Sequence, residues 1–267
     1  MSETMTTESE TILQCETRGH LRILTINRPH RSNAMSPELS DALIAAFVEA
    51  GADPDVRTII LTAVGDRAFC AGADLKARAD EDKAGKPFQP LLSRVQRYVF
   101  EVVYETFKPT IAALNGTAVA GGCELALACD IRVAAEHALM GLPEAKRGKG
   151  AHFANVILPR LIPSGIAYEM LYLGEYIGME EARRWGLVNR VVPKGEALNE
   201  AIRMAEAICE NAPVTLRRMK ETAVRADGLP MPVALRLNEG ISPYTSEDRV
   251  EGVRAYVEKR KPVWRGR

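Results

Sequence analysis

The stretch Pro109–Ala135, PTIAALNGTAVAGGCELALACDIRVAA, decides how the rest of the chain is read. Thr110 to Leu114 is an apolar run with strand character, and Asn115-Gly116 is a turn signal. Small residues lead to Gly121-Gly122. A helix then opens at about Cys123 with Leu125, Leu127 and Ala128 on apolar positions, and a strand resumes near Ile131. Paired glycines before a helix let backbone approach a ligand with no side chain in the way. The first N–H groups of a helix lack internal partners and lie at the positive end of its dipole, so the amide near Gly121 is suited to hold an oxyanion. Glu124 comes about one helical turn later, so its carboxylate borders the same space. Two glycines can also be a packing device, and an acid in a first turn can simply answer the dipole. The stretch therefore needs support from elsewhere in the chain.

The chain has 267 residues, enough for one large domain or two small ones, and 46% of them are hydrophobic. Lys plus Arg equals Asp plus Glu, which argues against general binding of nucleic acid or anionic membranes. A local basic cluster, Lys259, Arg260, Lys261, Arg265 and Arg267, closes the sequence and reads as a solubilising tail. The cysteines are odd in number (Cys15, Cys70, Cys123, Cys129, Cys209) and form no CxxC, so neither a disulfide framework nor a zinc site is expected. Cys123 and Cys129 read as small buried apolar groups. A reducing compartment, the cytoplasm, fits this usage. The opening MSETMTTESE is polar and acidic, unlike a secretory or transit signal. No apolar run is long enough to span a membrane.

Outward from the central stretch, residues 1–10 read as a disordered tail. Thr11–Glu16 and Leu21–Asn27 read as a hairpin through Arg18-Gly19-His20. Ser36-Pro37-Glu38 is a helix start, with Leu39, Leu43, Ala46, Phe47 and Ala50 as its apolar face. Val56–Ala63 is a buried strand. Lys76–Pro90 is charged, rich in Ala and weakly periodic, and is expected to be a mobile loop. Leu91–Phe107 is helical, Ala138–Gly141 a short strand, and Ala151–Leu161, Ile166–Leu173 and Gly178–Trp185 are helical. Val188–Val192 is a strand. Glu196–Asn211, Pro213–Ala226, Met231–Ser242 and Ser246–Lys259 complete a helical end. Strands alternating with helices and then helices alone predict an α/β core, residues 11–195, and a C-terminal helical region, residues 196–267. Asp130 and Arg132 are expected to form a buried structural pair. His20, His30 and His137 are expected to be exposed, and Trp185 and Trp264 to pack.

Three ordered motifs now combine: AFCAGADL at Ala68–Leu75, NGTAVAGGCELALACD at Asn115–Asp130, and GLPEAKRG at Gly141–Gly148. Together they resemble the crotonase superfamily, the enoyl-CoA hydratase/isomerase family. The resemblance runs from RPHRSNAMS at Arg28–Ser36 to the C-terminal end. Within it, EEARRWGLVNRVVP and SEDRVEGVRAYVEKRKPVWRGR look most like the carnitinyl-CoA dehydratase branch. The resemblance implies stacked β-β-α turns, a C-terminal helical region, and assembly as homotrimers or pairs of trimers. It implies that the amides of Ala73 and Gly121 hold a thioester oxygen and that Glu124 and Glu144 are the catalytic carboxylates. By the same token Arg31, Ala34, Ala71, Gly72, Asp74, Leu75, Gly122 and Pro143 line the substrate site. Lys259 is a candidate for the CoA phosphates of a neighbouring subunit. No metal and no cofactor is implied; coenzyme A belongs to the substrate.

Adding water across a double bond conjugated to a thioester pushes charge onto the carbonyl oxygen. Two fixed N–H donors stabilise that enolate-like state. Two carboxyl groups sharing one water can deprotonate it and protonate the α-carbon, provided one accepts and the other donates. Glu124 and Glu144 both being present is the hydratase pattern, and fatty-acid metabolism is the expected setting. The alternatives are a carnitinyl-CoA dehydratase (crotonobetainyl-CoA hydratase) and a non-catalytic acyl-CoA or protein-binding relative. The last is kept open by GKGAHFANVILPRL after the third motif, where relatives have a run rich in Gly and Pro. Bulk at Ala151, His152, Phe153 and Ala154 is expected to narrow or reshape an acyl pocket. Asp74 also has the form of a helix cap.

Overall fold

The computed structural model describes residues 11–87, 97–238 and 240–267, so the expected tail, the segment 88–96 and with it the start of the expected helix Leu91–Phe107 lie outside the described residues. The chain opens with β1 (Leu13–Arg18) and β2 (Leu21–Ile26), an antiparallel hairpin turned at Gly19. Next comes α1 (Pro37–Ala52), with the Ser36 side chain accepting from Leu39 N–H and Pro37 at its first position. Its buried face is Leu39, Leu43, Ala46, Phe47 and Ala50, the four-and-three spacing that the sequence predicts.

From here the chain alternates between two sheets. β3 (Thr58–Ala63) enters the first and β4 (Ala68–Cys70) the second. α2 (Leu75–Lys83) and α3 (Val99–Tyr104) precede β5 (Thr110–Leu114) in the first sheet and β6 (Thr117–Val119) in the second. α4 (Gly121–Ala128) leads to β7 (Ile131–Ala135), then β8 (Leu139–Gly141). α5 (Ala154–Leu161), α6 (Ser164–Leu173), β9 (Tyr176–Gly178), α7 (Met179–Arg184) and β10 (Arg190–Val192) close the spiral. The first sheet has the order β1-β2-β3-β5-β7-β10, parallel from β2 onward, and the second β4-β6-β8-β9. Each β-strand pair plus helix is thus one turn, stacked on the next.

Strand periodicity divides the interior in two. Leu24, Ile59, Leu61, Ala112, Leu114 and Ala134 face a large core shared with α1, α3 and α4. Their neighbours Ile23, Ile60, Ile111, Ala113 and Val133 face the other way, onto Ala197, Ala201 and Ala205 of α8 (Ala197–Cys209). A strand buried on both faces reads as one continuous apolar run, as TIILTA and TIAAL do.

The helical end comprises α8, α9 (Pro213–Arg225), α10 (Met231–Ala234) and α11 (Glu247–Val257). α8 belongs to the core, because its alanines let the helix lie close on the sheet. The expected boundary at residue 195 therefore cuts a packing unit, and the outer helical layer begins after α8. The C-terminal tail is pinned back: buried Asp248 accepts from the amides of Arg265 and Gly266, and Arg57 donates to the carbonyls of Cys209 and Trp264. The basic cluster is largely neutralised, by Arg260 on Glu251, Lys261 on Glu210 and Arg265 and Arg267 on Glu247.

Four expectations are corrected. Lys76–Pro90 is not a loop throughout: α2 runs through its first half, capped by Asp74 and braced by Arg78–Asp82 at 2.5 Å. An exposed helix has no apolar stripe, so periodicity does not reveal it. Among the described residues of Met231–Ser242 only α10 is helical, and a 3-10 turn follows at Pro243–Thr245. α4 opens at Gly121 rather than Cys123. Asp130 and Arg132 form no side-chain ion pair; Arg132 reaches only the Asp130 main-chain carbonyl, at 3.5 Å. Asp130 accepts from Lys220 at 2.9 Å and from Thr110, while Arg132 donates to the carbonyls of Leu187, Cys129 and Ala126.

Candidate active site

The second sheet carries the three motifs side by side. β4, β6 and β8 are parallel neighbours, and their C-terminal ends run on into Ala71–Ala73, Ala120–Glu124 and Leu142–Glu144 respectively. Parallel strands deliver such segments to one edge, where ligand sites of α/β folds form. Close approach there depends on two glycines. A Cβ on Gly122 would stand 2.0 Å from the Cys70 carbonyl oxygen, and one on Gly72 would stand 2.7 Å from Ala120 Cβ and 3.1 Å from Gly121 N. Gly72 also holds φ +80°, open to glycine and costly for other residues.

Two amides are left facing this seam. Met35 pairs with Ala73 as a parallel bridge: Met35 N–H donates to Gly72 O at 2.7 Å, and Asp74 N–H donates to Met35 O at 3.0 Å. In that pattern Ala73 turns its own N–H away from Met35. The Gly121 N–H is the first of α4, where no helical acceptor exists. Neither amide has an acceptor among the described residues. Ala120, at φ +53° and ψ −131°, makes the sharp turn that aims Gly121. Its N–H is fixed on Gly141 O at 2.9 Å, tying the second motif to the third.

Asn33, which lies in the RPHRSNAMS stretch but has no role there in the sequence reading, holds the first motif in place. It is buried, accepts from Arg28 N–H, and donates from Nδ2 to Val64 O and to Ala68 O at 2.7 Å. The RPHRSNAMS loop is thereby locked against Ala71–Asp74, with Ala71 N–H on Ser32 O. An asparagine between Ser32 and Ala34 has no periodic neighbours; only its amide's capacity for several bonds hints at the role.

Glu124 is 5% exposed and Glu144 8%. Glu124 Oε1 accepts from Ala154 N–H at 2.9 Å, so the start of α5 positions it. Burial pushes its carboxyl up to about 7; main-chain donors at Ala154 and Phe153 oppose the rise, and the charge of Glu144 adds to it. Burial also raises Glu144, whose Oε2 is buried without a hydrogen-bond partner among the described residues. Two neighbouring buried carboxyls hold one proton between them more readily than none. Arg132, buried at the C-terminal end of α4, donates to that helix's last carbonyls and fixes the helix carrying Glu124.

The remaining sequence candidates fall into three groups. Ala71, Asp74, Leu75, Arg31 and Ala34 lie along the locked loop and the first motif. Arg31 and Leu75 are exposed, and Asp74 caps α2 and pairs with Arg28 at 3.2 Å. Gly122 and Pro143 are buried: Gly122 packs on Cys70, and Pro143 lies under Gly174. Lys259 is exposed at the end of α11, on the outer helical layer. Among the described residues no cluster of His, Cys, Asp and Glu is arranged for a metal ion, and no helix is long and apolar enough to cross a membrane.

Stacked β-β-α turns, with the Gly72–Ala73 loop packed on the N-terminus of α4 and two buried glutamates following in the second and third motifs, define a crotonase-fold protein. The chain belongs to the enoyl-CoA hydratase/isomerase family, whose sequence profile matches residues 16–267. A Thermus thermophilus protein carrying an enoyl-CoA hydratase name is 41% identical over 249 residues, covering 92% of this chain and 97% of that protein. Carnitinyl-CoA dehydratase of Salmonella agona is 38% identical over 256 residues, covering 93% and 96%. The crystal structure of an enoyl-CoA hydratase from Mycobacterium tuberculosis superposes with a TM-score of 0.87 at 35% identity, covering 97% of this chain and all of that one. An enoyl-CoA hydratase from Bacillus anthracis superposes equally well, at 34% identity.

Proposed function

We propose that the protein is an enoyl-CoA hydratase, adding water reversibly to a 2-enoyl-CoA thioester. The observation that carries this reading is the pairing of two acceptor-free amides, Ala73 and Gly121, with two buried carboxyls of raised proton affinity. The thioester oxygen accepts from both amides, which draws electron density from the β-carbon. Glu124, in its ionised form, takes a proton from the water as its oxygen bonds to the β-carbon. Charge gathers on the thioester oxygen as an enolate. Glu144, in its protonated form, delivers a proton to the α-carbon, and the carbonyl reforms. The net change is one H and one OH across the double bond, with one proton passed from Glu144 to substrate and one from water to Glu124. Each such proton transfer contributes about 10²–10⁴-fold. Each amide of the pair lowers the barrier by on the order of 3–4 kcal/mol.

Ala71, Gly72, Asp74, Leu75, Arg31 and Ala34 are the residues we assign to the CoA arm. Exposed apolar side chains on the outer helices, among them Leu235, Tyr244, Tyr256 and Val257, support self-association, as a trimer or pair of trimers. The cytoplasm is the proposed location. The 38% identity to carnitinyl-CoA dehydratase favours one second reading, hydration of a betaine-bearing enoyl-CoA by the same groups. Mixing the protein with crotonyl-CoA tests the first reading: loss of the conjugated-thioester absorbance with formation of 3-hydroxybutyryl-CoA supports it. Hydration of crotonobetainyl-CoA alone would favour the second. No hydration of short, long, aromatic or betaine-bearing enoyl-CoAs would contradict both.

A further inference from the structure

We propose that Phe100 and Phe153 form an aromatic wall that closes the acyl end of the cleft and restricts the protein to short acyl groups. The inference rests on the hydratase reading for the placement of the thioester at Ala73 and Gly121. With the oxygen there, the acyl carbons must lie between Gly121 and Glu124. The Phe100 ring tip stands 3.6 Å from where a Gly121 side chain would begin, and Met35 Cε stands 3.5 Å away. That ring is 5.8 Å, centroid to centroid, from the ring of Phe153. Phe153 in turn immediately precedes Ala154, whose amide holds the Glu124 carboxylate. Gly121, Phe100, Phe153 and Glu124 are therefore joined by successive contacts, and the acyl group is placed along them.

The wall is braced from behind. Tyr98 meets Phe100 edge-on at 5.0 Å, and Tyr104 meets Phe153 edge-on at 5.9 Å. Edge-to-face rings of this kind hold each other in place. Phe100 is buried while Phe153 is only partly so, as a residue at the rim of a cleft would be. A run rich in Gly and Pro at Gly148–Asn155 would have left no ring at this position. An enoyl group of crotonyl size meets the rings as an apolar, flat surface. A longer chain has to displace them.

The test compares binding of two saturated thioesters, butyryl-CoA and decanoyl-CoA, to the wild type, F153A and F153L, with thermal melting of each variant as the check on folding. The wild type should prefer butyryl-CoA, and F153A should shift the ratio of the two dissociation constants toward decanoyl-CoA by about tenfold or more, with F153L between them. If the wild type binds decanoyl-CoA as tightly as butyryl-CoA, or if neither variant changes the ratio, the wall is refuted. Binding does not depend on turnover. Chain-length discrimination without hydration would therefore uphold the wall and count against the hydratase reading, and hydration without discrimination would do the reverse.

Discussion

Gly72 lies directly against Ala120: a methyl group on Gly72 would stand 2.7 Å from Ala120 Cβ, where no real side chain fits. That contact brings the loop carrying Ala73 onto the turn that aims Gly121. The loop and the turn pack this closely because Gly72 and Ala120 are too small to keep them apart, and on the hydratase reading this draws the two amides toward one oxygen.

Substituting Gly72→Ala should consequently separate the amides, aggravated by the φ of +80° that alanine adopts at a cost of about 1–2 kcal/mol. The hydration rate should fall about 10²–10³-fold, the scale of losing one oxyanion donor. Steady-state kinetics with crotonyl-CoA, alongside circular dichroism to confirm the fold, checks this. Unchanged kcat would show that the amides do not act together.

Glu124 carries a stability cost that its removal should reveal. Its folded-state value of about 7 exceeds the ordinary 4.5, so the folded protein binds the extra proton between those limits. Stability is fully retained below the ordinary carboxylate range and falls as pH rises toward 7, where the buried carboxyl must ionise. Glu124→Gln keeps an acceptor for Ala154 N–H and has no proton to lose. It should raise stability at pH 8 by roughly 1–3 kcal/mol and leave it nearly unchanged at pH 4. Urea unfolding at the two pH values measures the difference.

The same raised value predicts an acid limb of activity. If Glu124 must be ionised to accept a proton from water, kcat/KM should decline tenfold per unit as pH drops below about 7. A profile flat down to pH 5 would remove Glu124 as the base.

Much of this architecture is legible in the residues, for identifiable reasons. α1 is readable because its N-cap, first-position proline and buried face all agree. β3 and β5 stand out as unbroken apolar runs because helices cover both of their faces. β6 and β9, three residues each, are too short to show a period, and α2, most of whose described residues are exposed, has none. Glu124 and Glu144 are visible through their motifs. The partner that orients Glu124 is not, since it is a main-chain amide at Ala154, and backbone donors leave no mark on a sequence. Asn33 and Ala120 escape notice for a related reason: both act through turn geometry that only tertiary contacts reveal.

An ion pair helps to fasten the outer helical layer to the sheet. Lys220 of α9, whose side chain is 9% exposed, meets Asp130 at 2.9 Å and donates to Lys108 O, fastening α9 to the start of β5 and β7. Lys220→Met should cost about 1 kcal/mol, because the Lys220 side chain is buried while Asp130 reaches solvent and keeps its bonds from Thr110; Asp130→Asn added to it should change stability little further. Denaturant unfolding of both variants tests the coupling.

The most direct test is Glu144→Gln, assayed for both hydration of crotonyl-CoA and binding of butyryl-CoA. We predict a fall in kcat of about 10²–10⁴-fold with the dissociation constant little changed, because the amides of Ala73 and Gly121 still grip the thioester while the α-carbon loses its proton donor. Hydration at the wild-type rate would contradict the assignment of the two glutamates outright.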